Sequence, residues 1–473
     1  LFLNGILSGF ILSLGDHSKS DFAGYVAKQV LAESGPYALD DGSRIAVIGG
    51  GPTGSFFSIF ALKLAKMLDK KLNITIYDPK KFTKDGPAGC NRCAGIISEL
   101  LVQNLAVEGI NLPDSVVWKG INSYQLHTTK GSVSIATPSF ENTIAAVYRG
   151  GGPKGIIGEH KESFDDFLLG QAVKEGAAHM PFKIERIEYK NGKPVLYSRG
   201  GEIEQADLVV GAVGVNSAKS DMFRDIGFGY EEPRTIKAAI AEISFDEEII
   251  AEHFGNSVHL FLLPIKSLKF AAIIPKVTYI TLCILGHDLD ANTVKDFLDY
   301  PVVKEVLPNS VGYKFGCRCL PKMNVKAPKI PFTDRVVMCG DAGSTRLFKD
   351  GLGAAYIMGK AAAKTAVLHG VSKQDFQEHY YPVYKNIVVD NHYGSYLYFL
   401  ADFYKNYGLL TRWMLQIVQE EQNDPEDPKR LSSVLWNMFT GNERFKNIFA
   451  TAISLPVRFG LWRAFARTLV RRR

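Results

Sequence analysis

A short apolar run, Arg44-Ile45-Ala46-Val47-Ile48, follows the polar stretch Asp40-Asp41-Gly42-Ser43 and has the unbroken hydrophobicity of a strand buried on both faces. Glycines follow at 49–54, and the apolar positions from Phe56 to Leu68 then recur at helical spacing. Asn73-Ile74-Thr75-Ile76-Tyr77 reads as a second buried strand that closes on Asp78, so the pattern predicts a βαβ unit. From Val116 to Val147 apolar and polar residues alternate, as in Ser132-Val133-Ser134-Ile135-Ala136, which predicts antiparallel strands. A helical pattern returns from Phe164 to Glu175, and Leu208-Val209-Val210-Gly211-Ala212 is a further buried strand. A second strand-rich excursion runs from Ile236 to Gly286, before Val336-Val337-Met338-Cys339 and a Gly-rich helix start within 340–366. Beyond residue 371 the segments are helical and aromatic-rich, with a break at Asn423-Asp424-Pro425-Glu426-Asp427-Pro428. No internal repeat is present. The alternation predicts an α/β fold in which each domain is assembled from separated pieces.

A length of 473 residues fits roughly two to three domains. With 46% hydrophobic and 22% charged residues the chain is globular in composition, and 44 glycines point to tight turns or close backbone approach to a ligand. A net charge of +6 is small for this size and gives no reason to expect a nucleic-acid partner. The basic residues cluster at the C-terminus. Six cysteines are too few for a disulfide scaffold, which favours a reducing compartment, the cytoplasm; Cys90-x-x-Cys93 and Cys317-x-Cys319 look instead like redox or metal chemistry. The chain opens on Leu1 rather than Met, so either a longer precursor or a numbering that covers only the ordered part of the protein is expected. The run Leu1 to Leu14 is apolar but interrupted by Asn4, Gly5, Ser8, Gly9 and Ser13, and is shorter than the about 20 residues a membrane-spanning helix needs. It reads as a surface-packed or membrane-touching segment, with a signal-sequence remnant as the competing reading.

The glycines of the first βα turn form Gly49-x-Gly51-x-x-Gly54, between a buried strand and a helix, with Asp78 ending the next strand. In that context the pattern is a dinucleotide fingerprint. The first glycine permits the tight turn, the second lets the backbone approach a pyrophosphate, and the third lets helix and strand pack closely. An anion then sits at a helix N-terminus, and Asp78 is placed to accept hydrogen bonds from a ribose.

Two further segments decide which dinucleotide. Cys339-Gly340-Asp341-Ala342-Gly343, followed by Asp350-Gly351-Leu352-Gly353-Ala354, and Ala206-Asp207-Leu208-Val209-Val210-Gly211-Ala212-Val213-Gly214-Val215-Asn216-Ser217 between them and the fingerprint, resemble the flavoproteins typified by p-hydroxybenzoate hydroxylase and geranylgeranyl reductase. The resemblance covers about residues 44 to 366 and implies FAD as cofactor. It assigns Gly340 and Asp341 to the ribityl chain, and Gly351 and Gly353 to close approach of the backbone to the isoalloxazine ring. It also implies a Rossmann-type FAD-binding domain made of 44–115, 148–225 and 325–370, and an inserted substrate domain with a mixed or antiparallel sheet made of 116–147 and 226–324. Residues 1–43 would be an N-terminal extension, and 371–473 a C-terminal helical region with a basic amphipathic end.

Within that superfamily, Gly89-Cys90-Asn91-Arg92-Cys93-Ala94-Gly95-Ile96-Ile97-Ser98 resembles the geranylgeranyl reductases, whose Cys-Gly-Gly or Cys-Gly-Glu segment lies against the flavin; Cys93-Ala94-Gly95 differs from it by one residue. Arg149 and Phe164-Asp165-Asp166-Phe167-Leu168 resemble a family segment in which an arginine shortly precedes the next helix, which implies a flavin-binding role for Arg149, although Gly150-Gly151-Gly152-Pro153 and about ten more residues intervene here. The implied activity is transfer of a hydride from reduced flavin to a double bond of an isoprenoid or quinone-like lipid. Cys93 and, second, Cys90 are the candidate proton donors; both thiols also fit the plainer role of small buried apolar residues. A separate electron donor such as ferredoxin fits because Val213-Gly214 stands where the hydroxylases carry an Asp-Gly pair that serves NAD(P)H. Cys90, Cys93, Cys317 and Cys319 leave a tetrathiolate zinc or a dithiol relay open. Two other functions remain open as well: a flavin-dependent monooxygenase or oxidase, and a flavin-bearing subunit or maturation partner that binds protein through its C-terminal helices.

Phe445 to Arg473 carries Arg458, Arg463, Arg467 and Arg471-Arg472-Arg473 among Phe449, Leu455, Phe459, Leu461, Trp462, Phe465 and Leu469. This is the pattern of a basic amphipathic segment suited to peripheral contact with an anionic membrane; a docked helix with a solvated basic face is the alternative. A second aromatic patch spans Tyr393 to Tyr407.

Overall fold

In a computed structural model of the chain, the residues described are 35–84, 88–138, 144–150, 162–217, 220–308 and 314–470. The run Leu1 to Leu14 and Arg471 to Arg473 lie outside them.

The first apolar run forms strand β1 (Arg44–Ile48), helix α1 covers Pro52–Met67, and β2 is Asn73–Tyr77. Parallel pairing sets β1 between β2 and the strand Leu208–Gly211, with Ala178–Met180 outside β2 and Val336–Met338 outside Leu208–Gly211. A two-residue antiparallel strand, Phe332–Thr333, completes six strands. Side chains alternate between the sheet's faces, so β1 feeds two cores. Ile45 and Val47 join the cluster that contains Phe56 and Phe57 of α1, Leu168 of the helix Phe164–Glu175 and Met358 of the helix Gly351–Leu368. Ala46 and Ile48 face Ile187 and Leu196 of an antiparallel meander, Arg186–Lys190, Lys193–Ser198 and Gly201–Gln205, which covers the other side.

The larger sheet has eight strands. Arg234–Ser244, Tyr279–Gly286, Leu268–Pro275 and Ser257–Leu262 follow one another antiparallel, with Lys314–Cys319 and Lys322–Lys326 both pairing Arg234–Ser244. At the other side Ser257–Leu262 pairs parallel with Ser123–Thr128, which turns back antiparallel into Gly131–Ala136. Val117–Ile121 and Ile144–Val147 do not join it; they form a small sheet with Ile96–Ser98. One face of the large sheet, with Ala241, Phe261, Ile273 and Ile284, packs on the helices Glu247–Phe254, Ala291–Leu298 and Pro301–Val306. The other, with Tyr124, Leu260, Phe270, Ile274 and Leu285, packs against Tyr398, Val418, Trp436 and Phe445 of the C-terminal helices. Those helices are Tyr381–Asn406, Gly408–Asn423, Arg430–Thr440, Phe445–Ala452 and Leu455–Val470, and the break at 424–429 falls where the prolines predict it. The α/β class with a Rossmann-type sheet, a mixed second sheet and a C-terminal helical region is therefore observed.

Candidate functional site

The site begins at the β1–α1 turn. Gly49 has φ +113°, and a Cβ there would lie 2.3 Å from Ala212 O. A Cβ on Gly54 would lie 2.0 Å from Gly49 O, so this glycine is what lets α1 close on the strand. Gly51 is different: the nearest atom to its added Cβ is Asn91 Nδ2 at 3.5 Å, and the open space is the cleft itself. Gly51 also stands at the N-cap of α1 with no side-chain cap and with Pro52 behind it, which leaves first-turn N–H groups for an anion. Asp78 anchors the turn from β2, its Oδ2 accepting from Gly50 N at 2.7 Å and its Oδ1 from Lys80 N at 3.0 Å.

From this turn a cavity of about 540 Å³ runs past Cys90, Asn91, Cys93 and Arg149 to Asp341 and Gly351, and on to an apolar chamber walled by Tyr124, Leu260, Phe270, Ala272, Ile274 and Leu285 of the large sheet. Phe348 and Phe439 border the chamber from the helical side. Of the candidates read from the sequence, Gly49, Gly51, Asp78, Cys90, Cys93, Arg149, Asp341 and Gly351 all line this one cavity. Gly54, Gly340 and Gly353 lie beneath the lining and shape it. Gly340, at φ +62°, packs where a Cβ would meet Thr53 Oγ1 at 2.1 Å. Gly353 N donates to Asp350 Oδ1 at 3.1 Å, which caps the helix Gly351–Leu368.

A polar chain crosses the floor. Arg149 donates to Asp165 through Nε at 2.7 Å and Nη2 at 2.6 Å, a bidentate pair in which Asp165 is fully buried and Arg149 is 8% exposed. Asn91 Nδ2 donates to the same carboxylate, and Lys80 Nζ donates to Asn91 Oδ1 and to Cys90 O. Burial opposes the charge of Arg149, but the Asp165 carboxylate prevails and raises its pKa. The Cys93 thiol lies near enough to act electrostatically on Arg149. Burial pushes the Cys90 thiol up to about 11, and those of Cys283 and Cys319 to about 12. All six cysteines are free thiols, and among the described residues no group of three or more His, Cys, Asp or Glu is placed to hold a metal ion. The tetrathiolate that the spacings left open is not assembled.

The sequence did not single out Asp165 as the partner of Arg149, nor Lys80, Asn91, Lys276 or Asn324. Asp165 and Asn91 lie inside quoted motifs, but their pairing spans 74 residues and has no local signature. Asn324 Nδ2 donates to Asp341 O at 2.7 Å, while its Oδ1 is buried with no donor among the described residues. The open cradle at Gly51, where an added Cβ would meet nothing nearer than 3.5 Å, fits the close approach of a dinucleotide's pyrophosphate. No helix among the described residues is long and apolar enough to cross a membrane.

No protein-family model matches the chain, and no curated protein matches it. Solved structures do. A geranylgeranyl bacteriochlorophyll reductase-like protein from Thermoplasma acidophilum superposes with a TM-score of 0.60 at 16% identity, over 90% of this chain and 100% of that one. A flavoprotein/dehydrogenase from Cytophaga hutchinsonii gives 0.62 at 15% identity, over 90% and 100%. A mutant of the halogenase PltM in complex with FAD gives 0.56 at 15%, over 89% and 94%. At these identities the likeness is one of architecture: the chain has the fold that these reductase-like, dehydrogenase and halogenase flavoproteins share.

Proposed function

We propose that the chain binds FAD in this cleft and is an FAD-dependent oxidoreductase that reduces a double bond of an isoprenoid or quinone-like lipid. The observation that carries the reading is the continuity of one cavity from the dinucleotide fingerprint to an apolar chamber. Gly49, Gly51, Gly54 and Asp78 would hold the adenosine and pyrophosphate end. Gly340 and Asp341 would hold the ribityl chain, and Arg149, Gly351 and Gly353 would hold the part nearest the chamber. Bound FAD supplies hydride-transfer chemistry. The protein's share is to seat an apolar substrate against Leu260, Phe270, Ile274 and Leu285, to exclude water with the C-terminal helices, and to supply a proton. Cys93 is the proton donor in this reading, since it lines the cavity beside Arg149. Cys90 is the weaker candidate, because burial holds its thiol at about 11.

The reductant is a separate redox protein of the ferredoxin type, in keeping with Val213-Gly214 along the cleft. The test is anaerobic reduction of the FAD-loaded protein by reduced ferredoxin, NADH and NADPH in turn, followed by reoxidation with a prenylated quinone. Ferredoxin should reduce it and the prenyl compound reoxidise it. Cys93→Ala should slow only the second step. Fast reduction by NADPH with oxygen-dependent hydroxylation of a product would place the protein in the monooxygenase branch instead.

A lipid substrate also gives a role to the C-terminal helix Leu455–Val470, which has no acidic residue and exposes Phe459 (60%) and Trp462 (62%) beside Arg458, Arg463 and Arg467. Peripheral contact with an anionic membrane accounts for this combination. In co-sedimentation with vesicles containing anionic lipid, the wild type should bind, added salt should weaken binding, and Phe459→Ser with Trp462→Ser should reduce it about tenfold through lost apolar burial. A wild type that stays in the supernatant at low salt would end the membrane reading.

A further inference from the structure

Lys276 lies just past the strand Leu268–Pro275, in step with Phe270, Ala272 and Ile274, which line the chamber. It is only 2% exposed. Its Nζ donates to Ala94 O, Gly95 O and Val147 O, each at 3.2 Å, so all three N–H bonds of the ammonium are used. The first two carbonyls belong to the residues that follow Cys93, and the third lies two residues before Arg149. Gly95 O also accepts from Val147 N at 2.8 Å, which ties the two segments to each other. The fit leaves no slack: Gly95 has φ +72°, and a Cβ there would lie 2.4 Å from Val147 O and 3.0 Å from Lys276 Nζ.

Packing alone does not account for a lysine here. A methionine fills the same space without the cost of desolvating a charge. We propose that Lys276 is a positioning residue: its ammonium clamps the segments carrying Cys93 and Arg149 to the large sheet and keeps a second cation behind them. The inference rests on the reading of the cleft as an FAD site, and the groups that act on the lysine are Glu242 from Arg234–Ser244, Cys93 and Arg149. Burial lowers the Lys276 pKa to about 8, against the pull of Glu242 and Cys93. The sign follows. Below pH 8 the charged lysine is a cost to the fold, relieved as pH rises from 8 towards the unfolded value, so its removal need not destabilise the protein at neutral pH. FAD is an anion and favours the charged form, so its affinity should fall as pH rises through about 8.

The experiment compares wild type, Lys276→Met and Lys276→Arg by FAD titration between pH 6.5 and 9.5 and by hydrogen exchange of the FAD-free proteins. Lys276→Met should melt no lower than wild type, exchange faster at the amides of 93–97 and 147, and bind FAD about tenfold more weakly at pH 7, with no inflection near pH 8. Lys276→Arg, which stays charged, should recover affinity at pH 7 and also lack the inflection. Wild-type exchange and a wild-type FAD curve in Lys276→Met would overturn the proposal while leaving the cofactor reading intact. A wild type that takes up no FAD would overturn that reading, and with it the affinity argument, while the exchange data would still decide whether the clamp exists.

Discussion

Replacing Arg149 by Leu should cost the protein about 3–5 kcal/mol of stability, the usual loss when one member of a buried ion pair is removed. Asp165 is fully buried and takes two contacts from the guanidinium, so the substitution strands a carboxylate whose remaining side-chain donor among the described residues is Asn91 Nδ2. Set against the about 5–15 kcal/mol that holds a typical domain together, the loss is large enough to shift a urea midpoint visibly. The diagnostic comparison is the double variant Arg149→Leu with Asp165→Leu. With both charges gone there is no stranded group, and stability should recover most of the loss, because apolar replacement of a buried pair is often neutral. The cleft should not recover. Arg149 also lines the cavity, so both variants should bind FAD less tightly than the wild type. A double variant as unstable as the single one would mean that the packing of the arginine, rather than its pairing, holds this floor together.

That pair also marks the limit of what the chain discloses in one dimension. The βαβ unit is legible because its signals are local: the apolar run Ile45 to Ile48 in β1, a turn in which Gly49 and Gly54 admit no Cβ, and an acid at the end of β2. The helix Phe164–Glu175 is legible for the same reason, with Ser163 as its cap and Gly176 at its end. The large sheet is legible only as strands. Its assembly depends on Ser257–Leu262 lying parallel beside Ser123–Thr128, a contact between segments more than 100 residues apart that alternation cannot specify. Val117–Ile121 shows the same limit from the other side: it has strand character but leaves the large sheet for Ile144–Val147. The meander 186–205 carries no strong apolar period, since Val195 and Leu196 are buried side by side while Tyr189 and Ile203 are exposed, and the sequence gives little notice of it. Within the site, the residues that a backbone motif requires are readable, while those that act through distant partners are not. Lys276 follows an apolar strand and looks like an ordinary strand-end charge until the fold brings Ala94, Gly95 and Val147 to it.

Gly51→Val should abolish tight FAD binding while leaving the FAD-free protein as stable as the wild type. The three glycines of the fingerprint separate cleanly by what a side chain would meet. At Gly49 and Gly54 an added Cβ would lie 2.3 Å and 2.0 Å from backbone oxygens, so substitutions there damage the fold first and say little about a ligand. At Gly51 the backbone is extended, with φ −71° and ψ −175°, which any residue adopts, and the nearest atom to a Cβ is 3.5 Å away. The side chain would instead occupy the opening through which a pyrophosphate reaches the N-terminus of α1. Denying an anion two backbone N–H bonds, at about 1.5–3 kcal/mol each for a charged partner, amounts to about 3–6 kcal/mol. By the usual conversion this is at least about a 100-fold loss of affinity. Fluorescence titration with FAD reads the affinity, and the melting temperature of the FAD-free protein supplies the control. A Gly51→Val protein that melts like the wild type and binds FAD like the wild type would mean that the pyrophosphate does not approach this turn, and the cofactor would then have to be sought elsewhere along the cavity.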